Sequence, residues 1–241
     1  MRNHEVKKRA LEERARTAGY QPPPVKYGAA VDYRASAPPI DYMGLLLDPE
    51  STALLVIDMQ NIFVEPGAPI SSPDGMKIVE PINRLAKHCR DHGMPVIYTA
   101  WCHRADGSDV GRMVEYWAGM APVPFDSHLA QIYPGMDYEP SDILIQKPKY
   151  NAFWATNLEA ILNTLGIESL IFTGIATDVC VGRTLVDAFH RDYNCIIVQD
   201  GTATTTPHQE VSLWHHEKYW ARVLTTAEVI SELRALTPVK A

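Results

Sequence analysis

Unbroken apolar runs restrict the fold of this chain more than any other feature of its sequence. The first of them, Ala53–Ile57, is closed by Asp58. A run of this kind predicts a strand that is buried on both faces, as strands are in a parallel sheet covered by helices. Further predicted strands cover residues 96–100, 142–146, 169–173, 194–198 and 222–225.

Helical patterns lie between most of these predicted strands, and one further helix carries Cys180 in its first turn. Thr156 is predicted to cap the second helix of the core, with Glu159 at the capping-box position. Strands that alternate with helices predict a three-layer α/β/α sandwich around a mostly parallel six-stranded sheet. The helical patterns cover roughly residues 77–92, 156–165, 207–220 and 227–236.

The chain is predicted to have two parts. Residues 1–50 indicate a surface helix followed by an arm rich in Pro and Tyr, and residues 51–241 indicate one α/β domain. Proline excludes a regular helix, and the tyrosines of the arm (19–50) favour packing on a protein surface, with a disordered tail as the alternative. Residues 102–140 are irregular in pattern and are predicted to fold over a site as a lid.

Composition and charge argue against several functional classes. The net charge of −7 is unfavourable for a general nucleic-acid surface or an anionic membrane surface. No apolar run in the sequence reaches the ~18 residues of a membrane span, and the N-terminal residues do not resemble a targeting segment. The cysteines show no C-x-x-C spacing, which favours reduced thiols in the cytoplasm over disulfides or a zinc site.

Three reactive side chains follow predicted strands. Asp58 closes the first strand, Lys147 closes the third, and a turn at Gly174 leads from the fourth to the helix of Cys180. Ligands bind beyond the carboxyl ends of parallel strands, so we expect these side chains to lie together. A carboxylate, an amine and a thiol are the parts of an activated nucleophile, in which the carboxylate accepts the thiol proton. The positive end of the helix is also expected to favour the thiolate of Cys180.

Three motifs occur in order along the chain, at Asp58–Phe63, Lys147–Phe153 and Thr173–Val181. Together they resemble the motifs of the isochorismatase-like cysteine hydrolases, and the resemblance extends over roughly residues 50–235. Within that family, the second and third motifs look most like those of the ureidoacrylate and N-carbamoyl amide hydrolases.

The resemblance implies a catalytic triad of Asp58, Lys147 and Cys180. It also implies a cis peptide bond between Ile175 and Ala176, and an oxyanion hole made of the Ala176 and Cys180 N–H groups. The implied reaction is hydrolysis of a small acyclic amide or ureido compound through a thioester on Cys180, with release of ammonia or carbamate and without a cofactor. Members of the family are often dimers or tetramers, so a homo-oligomer is expected.

Aromatic residues near the motifs are candidates for the walls of a substrate pocket. Phe63, Trp101 and Tyr150 are predicted to form a narrow, flat slot, with ordinary core packing as the alternative. Trp101 stands where the ureidoacrylate type is expected to have a small polar contact with the substrate. The resemblance therefore does not determine which compound is the substrate. Further candidate substrate contacts are Gln60, Asn61, Asn151 and Ile175.

Three alternative functions are each supported by part of the sequence. An ether-cleaving isochorismatase proper commonly has no cysteine at the position of Cys180, which argues against that activity. Nicotinamidases resemble this chain at the triad but carry several metal-binding His residues after the second strand, where this chain has only His103, interpreted as a surface residue. No metal is therefore expected. A binding protein without catalysis on the same fold is the third alternative.

Overall fold

A computed structural model of the protein describes residues 2–24, 26, 45–116 and 122–237. Neighbouring strands of its sheet all pair in parallel, which confirms the predicted α/β fold and its six-stranded sheet. The strands are β1 (Thr52–Ile57), β2 (Val96–Trp101), β3 (Ile143–Lys147), β4 (Ser169–Ile175), β5 (Asn194–Ala203) and β6 (Arg222–Leu224). Their order across the sheet is β3-β2-β1-β4-β5-β6.

Helices cover both faces of this sheet. Their bounds are α1 (Arg2–Thr17), α2 (Asn61–Val64), α3 (Val79–Asp91), α4 (Met113–Tyr116), α5 (Leu158–Thr164), α6 (Cys180–Phe189), α7 (Gln209–Tyr219) and α8 (Thr226–Leu236). Buried residues of α3 and α8 pack on one face, and those of α5, α6 and α7 pack on the other. Within the described ranges, no helix is long and apolar enough to cross a membrane.

Strand β1 shows why the apolar runs are unbroken. Leu54 and Val56 face the layer of α3 and α8, whereas Leu55 and Ile57 face the layer of α5, α6 and α7. Successive side chains of a strand point to opposite faces, and here both faces are covered. Every residue of the strand is therefore buried, and no polar alternation marks it.

The N-terminal helix packs on the rest of its own chain. Leu11 and Ala15 of α1 are buried against Leu46 and Leu236. Tyr20, just after this helix, donates from its hydroxyl to a carboxylate oxygen of α8 at 2.5 Å. Much of the predicted Pro/Tyr arm, residues 25 and 27–44, lies outside the described residues, so the prediction that this segment lies on a surface stays a prediction.

The start of helix α5 differs from the sequence-based prediction. Helix α5 begins at Leu158, and Thr156 does not form a capping box, because Glu159 pairs instead with an arginine after α6. The Thr156 hydroxyl accepts the Leu158 N–H at 3.1 Å and donates to the carbonyl of residue 152. A complete capping box is present at α8, where Thr225 and Glu228 bond reciprocally.

Candidate active site

The sheet order creates a topological switch between β1 and β4. Later strands are added beyond β1 on one side and beyond β4 on the other. Ligand sites in open parallel sheets lie at such a point, beyond the carboxyl ends of the strands. Asp58 directly follows β1, and the turn after β4 leads to Cys180, the first residue of α6.

The structure brings Asp58, Lys147 and Cys180 together in a buried group. Lys147 Nζ lies 2.6 Å from Asp58 Oδ2, and neither side chain has exposed surface. The charges of both partners act on the Cys180 thiol, which is buried beside them. Lys147 also donates to the Lys149 carbonyl at 3.1 Å, which fixes the ammonium group at the end of β3. An acid, a cation and a thiol thus share one site, as the strand ends predict.

Thr99, on β2, holds the Asp58 carboxylate in place. Its Oγ1 donates to Asp58 Oδ1 at 2.6 Å and accepts the Asp58 N–H at 3.2 Å. Asp58 has a φ of +52°, in the left-handed region that costs a non-glycine residue on the order of 1–2 kcal/mol. The hydrogen bonds from Thr99 therefore stabilise a backbone turn that is intrinsically unfavourable. They also leave Oδ2 for Lys147.

Burial of Cys180 overturns the expected preference for the thiolate. Burial raises the pKa of the thiol above its ordinary value, the Lys147 ammonium opposes this rise, and the Asp58 carboxylate adds to it. A helix N-terminus contributes only about 0.3–1 kcal/mol, which does not offset the loss of solvent around a buried thiolate. At neutral pH Cys180 is a thiol. Burial also opposes the charged form of Lys147, but the attraction of Asp58 and Cys180 raises the pKa of this lysine.

The turn between β4 and α6 depends on Gly174. Its φ is +104°, and a Cβ at this position would lie 2.0 Å from the Ile57 carbonyl oxygen of β1. The peptide bond between Ile175 and Ala176 is cis. Within the described part of the chain, the Ala176 and Cys180 N–H groups have no hydrogen-bond partner. Two unpaired donors therefore lie in the turn after β4 and at the start of the helix that carries the thiol.

A cavity of about 410 Å³ opens onto Cys180. The predicted walls Phe63, Trp101 and Tyr150 all line it, and the Phe63 and Trp101 rings lie 5.8 Å apart at 47°. The described residues of the 102–140 segment do not contribute to this lining, so the predicted lid is not seen over the cavity; 117–121 lie outside the description. The remaining lining residues are Pro69, Ile70, Ser71, Ala176, Val179, Thr205 and Thr206.

The other candidate substrate contacts have internal roles. Gln60 bonds to both main-chain groups of Trp101, with Nε2 donating to the carbonyl at 3.1 Å and Oε1 accepting the N–H at 2.8 Å. Asn61 donates to the His128 carbonyl at 2.8 Å. Asn151 donates to a carboxylate on α6 at 2.6 Å, and Ile175 is fully buried in the core. None of these four side chains is among the residues that line the cavity.

His103 is buried, not a surface residue as predicted. Its ring lies edge-on against Trp101 with centroids 4.7 Å apart, and Nδ1 accepts the Val123 N–H at 3.3 Å. Burial lowers the pKa of this imidazole, so it is neutral at physiological pH. Among the described residues, no cluster of three or more His, Cys, Asp or Glu side chains is arranged to hold a metal ion.

A family model, the Isochorismatase domain, matches residues 52–228. The chain belongs to the isochorismatase family. Among its relatives, a probable inactive nicotinamidase of Arabidopsis thaliana is 37% identical over 162 residues, which cover 65% of this chain and 83% of that protein. The ureidoacrylate amidohydrolase RutB of Caulobacter vibrioides is 30% identical over 216 residues, which cover 80% and 96% of the two chains.

A solved structure with the same fold is that of a cysteine hydrolase from Pseudomonas syringae pv. phaseolicola 1448A. It is 28% identical, has a TM-score of 0.76, and covers 79% of this chain and 95% of its own. The agreement extends over nearly the whole of that protein. The isochorismatase-family fold of this chain therefore rests on both sequence and structure.

Several residues that support this isochorismatase-family site were not found from the sequence. Thr99 looks like an ordinary strand residue, although it holds Asp58. Thr184 donates to the Cys180 carbonyl at 2.7 Å, and His216 Nε2 donates to the Thr177 carbonyl at 3.0 Å, so both stabilise the start of α6. The partners of Thr99 and His216 are 41 and 39 residues away in the chain. The partner of Thr184 is in the preceding turn of the same helix, and only the alternation of polar residues on α6 gives a weak signal for it.

Proposed function

We propose that this isochorismatase-family hydrolase is a cysteine-dependent amidohydrolase. It cleaves a C–N bond of a small acyclic amide or ureido compound and releases ammonia or carbamate. The observation that carries the proposal is the buried group of Asp58, Lys147 and Cys180, whose thiol lines the cavity. The names of the Caulobacter and Pseudomonas proteins, an amidohydrolase and a cysteine hydrolase, support it.

The first half of the reaction forms a thioester. Asp58 accepts the thiol proton as the Cys180 sulfur attacks the substrate carbonyl carbon. The negative charge that develops on the carbonyl oxygen is held by the N–H groups of Ala176 and Cys180, and such donors typically contribute about 10²–10³ in rate each. The C–N bond then breaks, and protonated Asp58 gives its proton to the leaving nitrogen.

The second half regenerates the thiol. Water attacks the thioester, and Asp58 accepts a proton from it as the C–S bond breaks. The departing sulfur takes this proton back, so Cys180 returns to the neutral thiol that its buried position favours. A ureido substrate follows the same steps and gives a carbamate as the acid product.

Lys147 stabilises the negative charges that form before and during this proton transfer. Its ammonium lies 2.6 Å from Asp58 Oδ2 and remains charged. It therefore stabilises the Asp58 carboxylate before proton transfer and any negative charge on the Cys180 sulfur during attack. Because both partners are fully buried, solvent screens these interactions little.

A non-catalytic binding protein is the second candidate. The observation that favours it is the 37% identity to an Arabidopsis protein named as a probable inactive nicotinamidase. The two candidates differ in what they require of Cys180, because a binding protein needs no acyl transfer to its thiol.

An ammonia-release screen tests the proposed function. The full chain is incubated with primary amides, ureido acids and carbamoyl amino acids, beside Cys180→Ala and the matched control Cys195→Ala, which removes another buried thiol. We expect the wild type and Cys195→Ala to release ammonia and Cys180→Ala to release none. Equal ammonia release by Cys180→Ala contradicts the thioester mechanism, and no release by any form supports the binding protein.

We also propose that the chain assembles into a homo-oligomer, a dimer or tetramer. Support comes from large apolar side chains exposed on α6 and α7, among them Phe189, Val211 and Tyr219, which are 42%, 55% and 49% exposed. Light scattering of the full chain is expected to give a multiple of its 26.9 kDa mass. A monomer at micromolar concentration contradicts this proposal.

A further inference from the structure

The cavity has a buried floor and an open rim. Cys180, Ala176 and Trp101 are only 5%, 6% and 2% exposed and form part of the floor. Pro69 and Thr205 are exposed and lie at the rim. A substrate whose carbonyl reaches the thiol must therefore place its carbonyl at the floor and the rest of its acyl group toward the rim.

All the lining side chains are uncharged. They comprise aromatic rings, aliphatic groups, the thiol, the phenolic hydroxyl of Tyr150 and the hydroxyls of Ser71, Thr205 and Thr206. The hydroxyls of Ser71 and Thr205 make no hydrogen bond within the described residues and are open to a ligand. Thr206 differs, because its hydroxyl donates to Asp178 Oδ2 at 2.8 Å. The polar groups available toward the rim can thus bind a neutral hydrogen-bonding group.

The described lining residues offer no cation, and a carboxylate lies next to them. Asp178 accepts hydrogen bonds from Thr204 and Thr206, which places a carboxylate directly behind the rim. Lys147 is neutralised by Asp58 beneath the floor. The Lys149 ammonium is not among the groups that line the cavity; it donates to the Val110 carbonyl.

We propose that this site selects uncharged amides over amides that carry a carboxylate, with Ser71 and Thr205 binding a neutral polar group of the acyl moiety. The proposal rests on the amidohydrolase function proposed above and narrows its substrate class. A carboxylate drawn between the floor and the rim would give up part of its hydration without gaining a cation, and a polar group that is buried without compensation costs about 1–3 kcal/mol. Ureidoacrylate, named for the Caulobacter relative, carries such a carboxylate.

Binding of a matched pair of compounds tests the proposal. The probes are the monoamide of fumaric acid, which is an anion at pH 7, and its methyl ester, which has the same flat skeleton without the charge. Their dissociation constants are measured by calorimetry on Cys180→Ala, which cannot turn them over. We expect the ester to bind on the order of 10- to 100-fold more tightly. Equal or tighter binding of the acid, or binding of neither probe, overturns the proposal.

A charge placed at the rim gives the second arm of the test. In the Cys180→Ala background, Thr205→Arg is expected to tighten binding of the acid about 10-fold relative to Thr205→Gln, a neutral control of similar reach. An unchanged ratio of acid to ester affinity in Thr205→Arg contradicts the assigned binding position.

Wild-type turnover separates this inference from the proposed function. If the ester binds preferentially but the wild type releases ammonia from neither probe nor from any compound of the screen, the amidohydrolase function fails while the charge selectivity stands. If the wild type prefers the acid as substrate, the charge selectivity fails while the amidohydrolase function stands.

Discussion

Lys147 Nζ lies 2.6 Å from Asp58 Oδ2, and neither side chain is exposed to solvent. Loss of one partner leaves the other as an unpaired buried charge, which typically costs about 3–5 kcal/mol. We therefore predict that Lys147→Met lowers the free energy of unfolding by about that amount, measured by urea denaturation, and also abolishes most of kcat.

The double variant Asp58→Asn/Lys147→Met controls for this effect. It removes both charges together, so it is expected to recover most of the stability lost in Lys147→Met but none of the activity. A double variant no more stable than the single one would show that the loss comes from packing and not from the unpaired carboxylate.

Thr99 is predicted to act as a positioning residue for Asp58. Thr99→Val keeps the shape of the side chain but removes the 2.6 Å hydrogen bond to Asp58 Oδ1, so we expect kcat to fall about 10- to 100-fold with little change in KM. Thr99→Ser, which retains the hydroxyl, should restore most of kcat. If Thr99 had only a structural role, the valine and serine variants would have equal kcat whenever their stabilities are equal.

Gly174 is predicted to tolerate no side chain. In Gly174→Ala the new Cβ would meet the Ile57 carbonyl oxygen at 2.0 Å, and a φ of +104° is strained for any L residue. We expect a loss of more than about 3 kcal/mol in unfolding free energy, or failure to fold. Gly166→Ala is the matched control, because its φ is +66° but its Cβ meets nothing within 4 Å, so it should lose only about 1–2 kcal/mol. Similar losses in the two variants would contradict the steric account.

We predict that the buried thiols cause the unfolding free energy to fall at high pH. Burial raises the pKa of Cys89 and of Cys195 to about 12 from the ordinary 9.0. Between these values the unfolded chain loses thiol protons that the folded chain keeps, so the stability contributed below pH 9 is lost as the pH rises toward 12. The unfolding free energy of Cys89→Ala/Cys195→Ala should therefore fall less steeply over this window than that of the wild type. Parallel curves would show that the thiols do not contribute.

The sheet and the strand-end residues could be predicted because they depend on local patterns. An apolar run such as Ala53–Ile57 is recognisable wherever both faces of a strand are covered, and the residue after it falls at the edge of the sheet. The thiolate prediction for Cys180 was wrong because it considered only the helix end, whereas the pKa depends on burial by distant segments. His103 was misjudged for the same reason.

The supporting contacts could not be predicted because their partners are far apart in the chain. Thr99 and Asp58 are 41 residues apart, and only the parallel pairing of β1 with β2 brings them together. Gln60 belongs to a recognised motif, but its bonds to Trp101 show that a motif residue can hold the fold together without contacting a ligand. Motif position alone does not separate these two roles.

The acyl state of Cys180 tests the central claim most directly. Wild-type protein is mixed with a substrate found in the ammonia screen, quenched in acid within milliseconds, digested and examined by mass spectrometry. The mechanism predicts that the peptide containing Cys180 gains the mass of the substrate minus ammonia, and that hydroxylamine removes this adduct. Full turnover with no adduct on Cys180 at any quench time, together with undiminished turnover in Cys180→Ala, would contradict the mechanism.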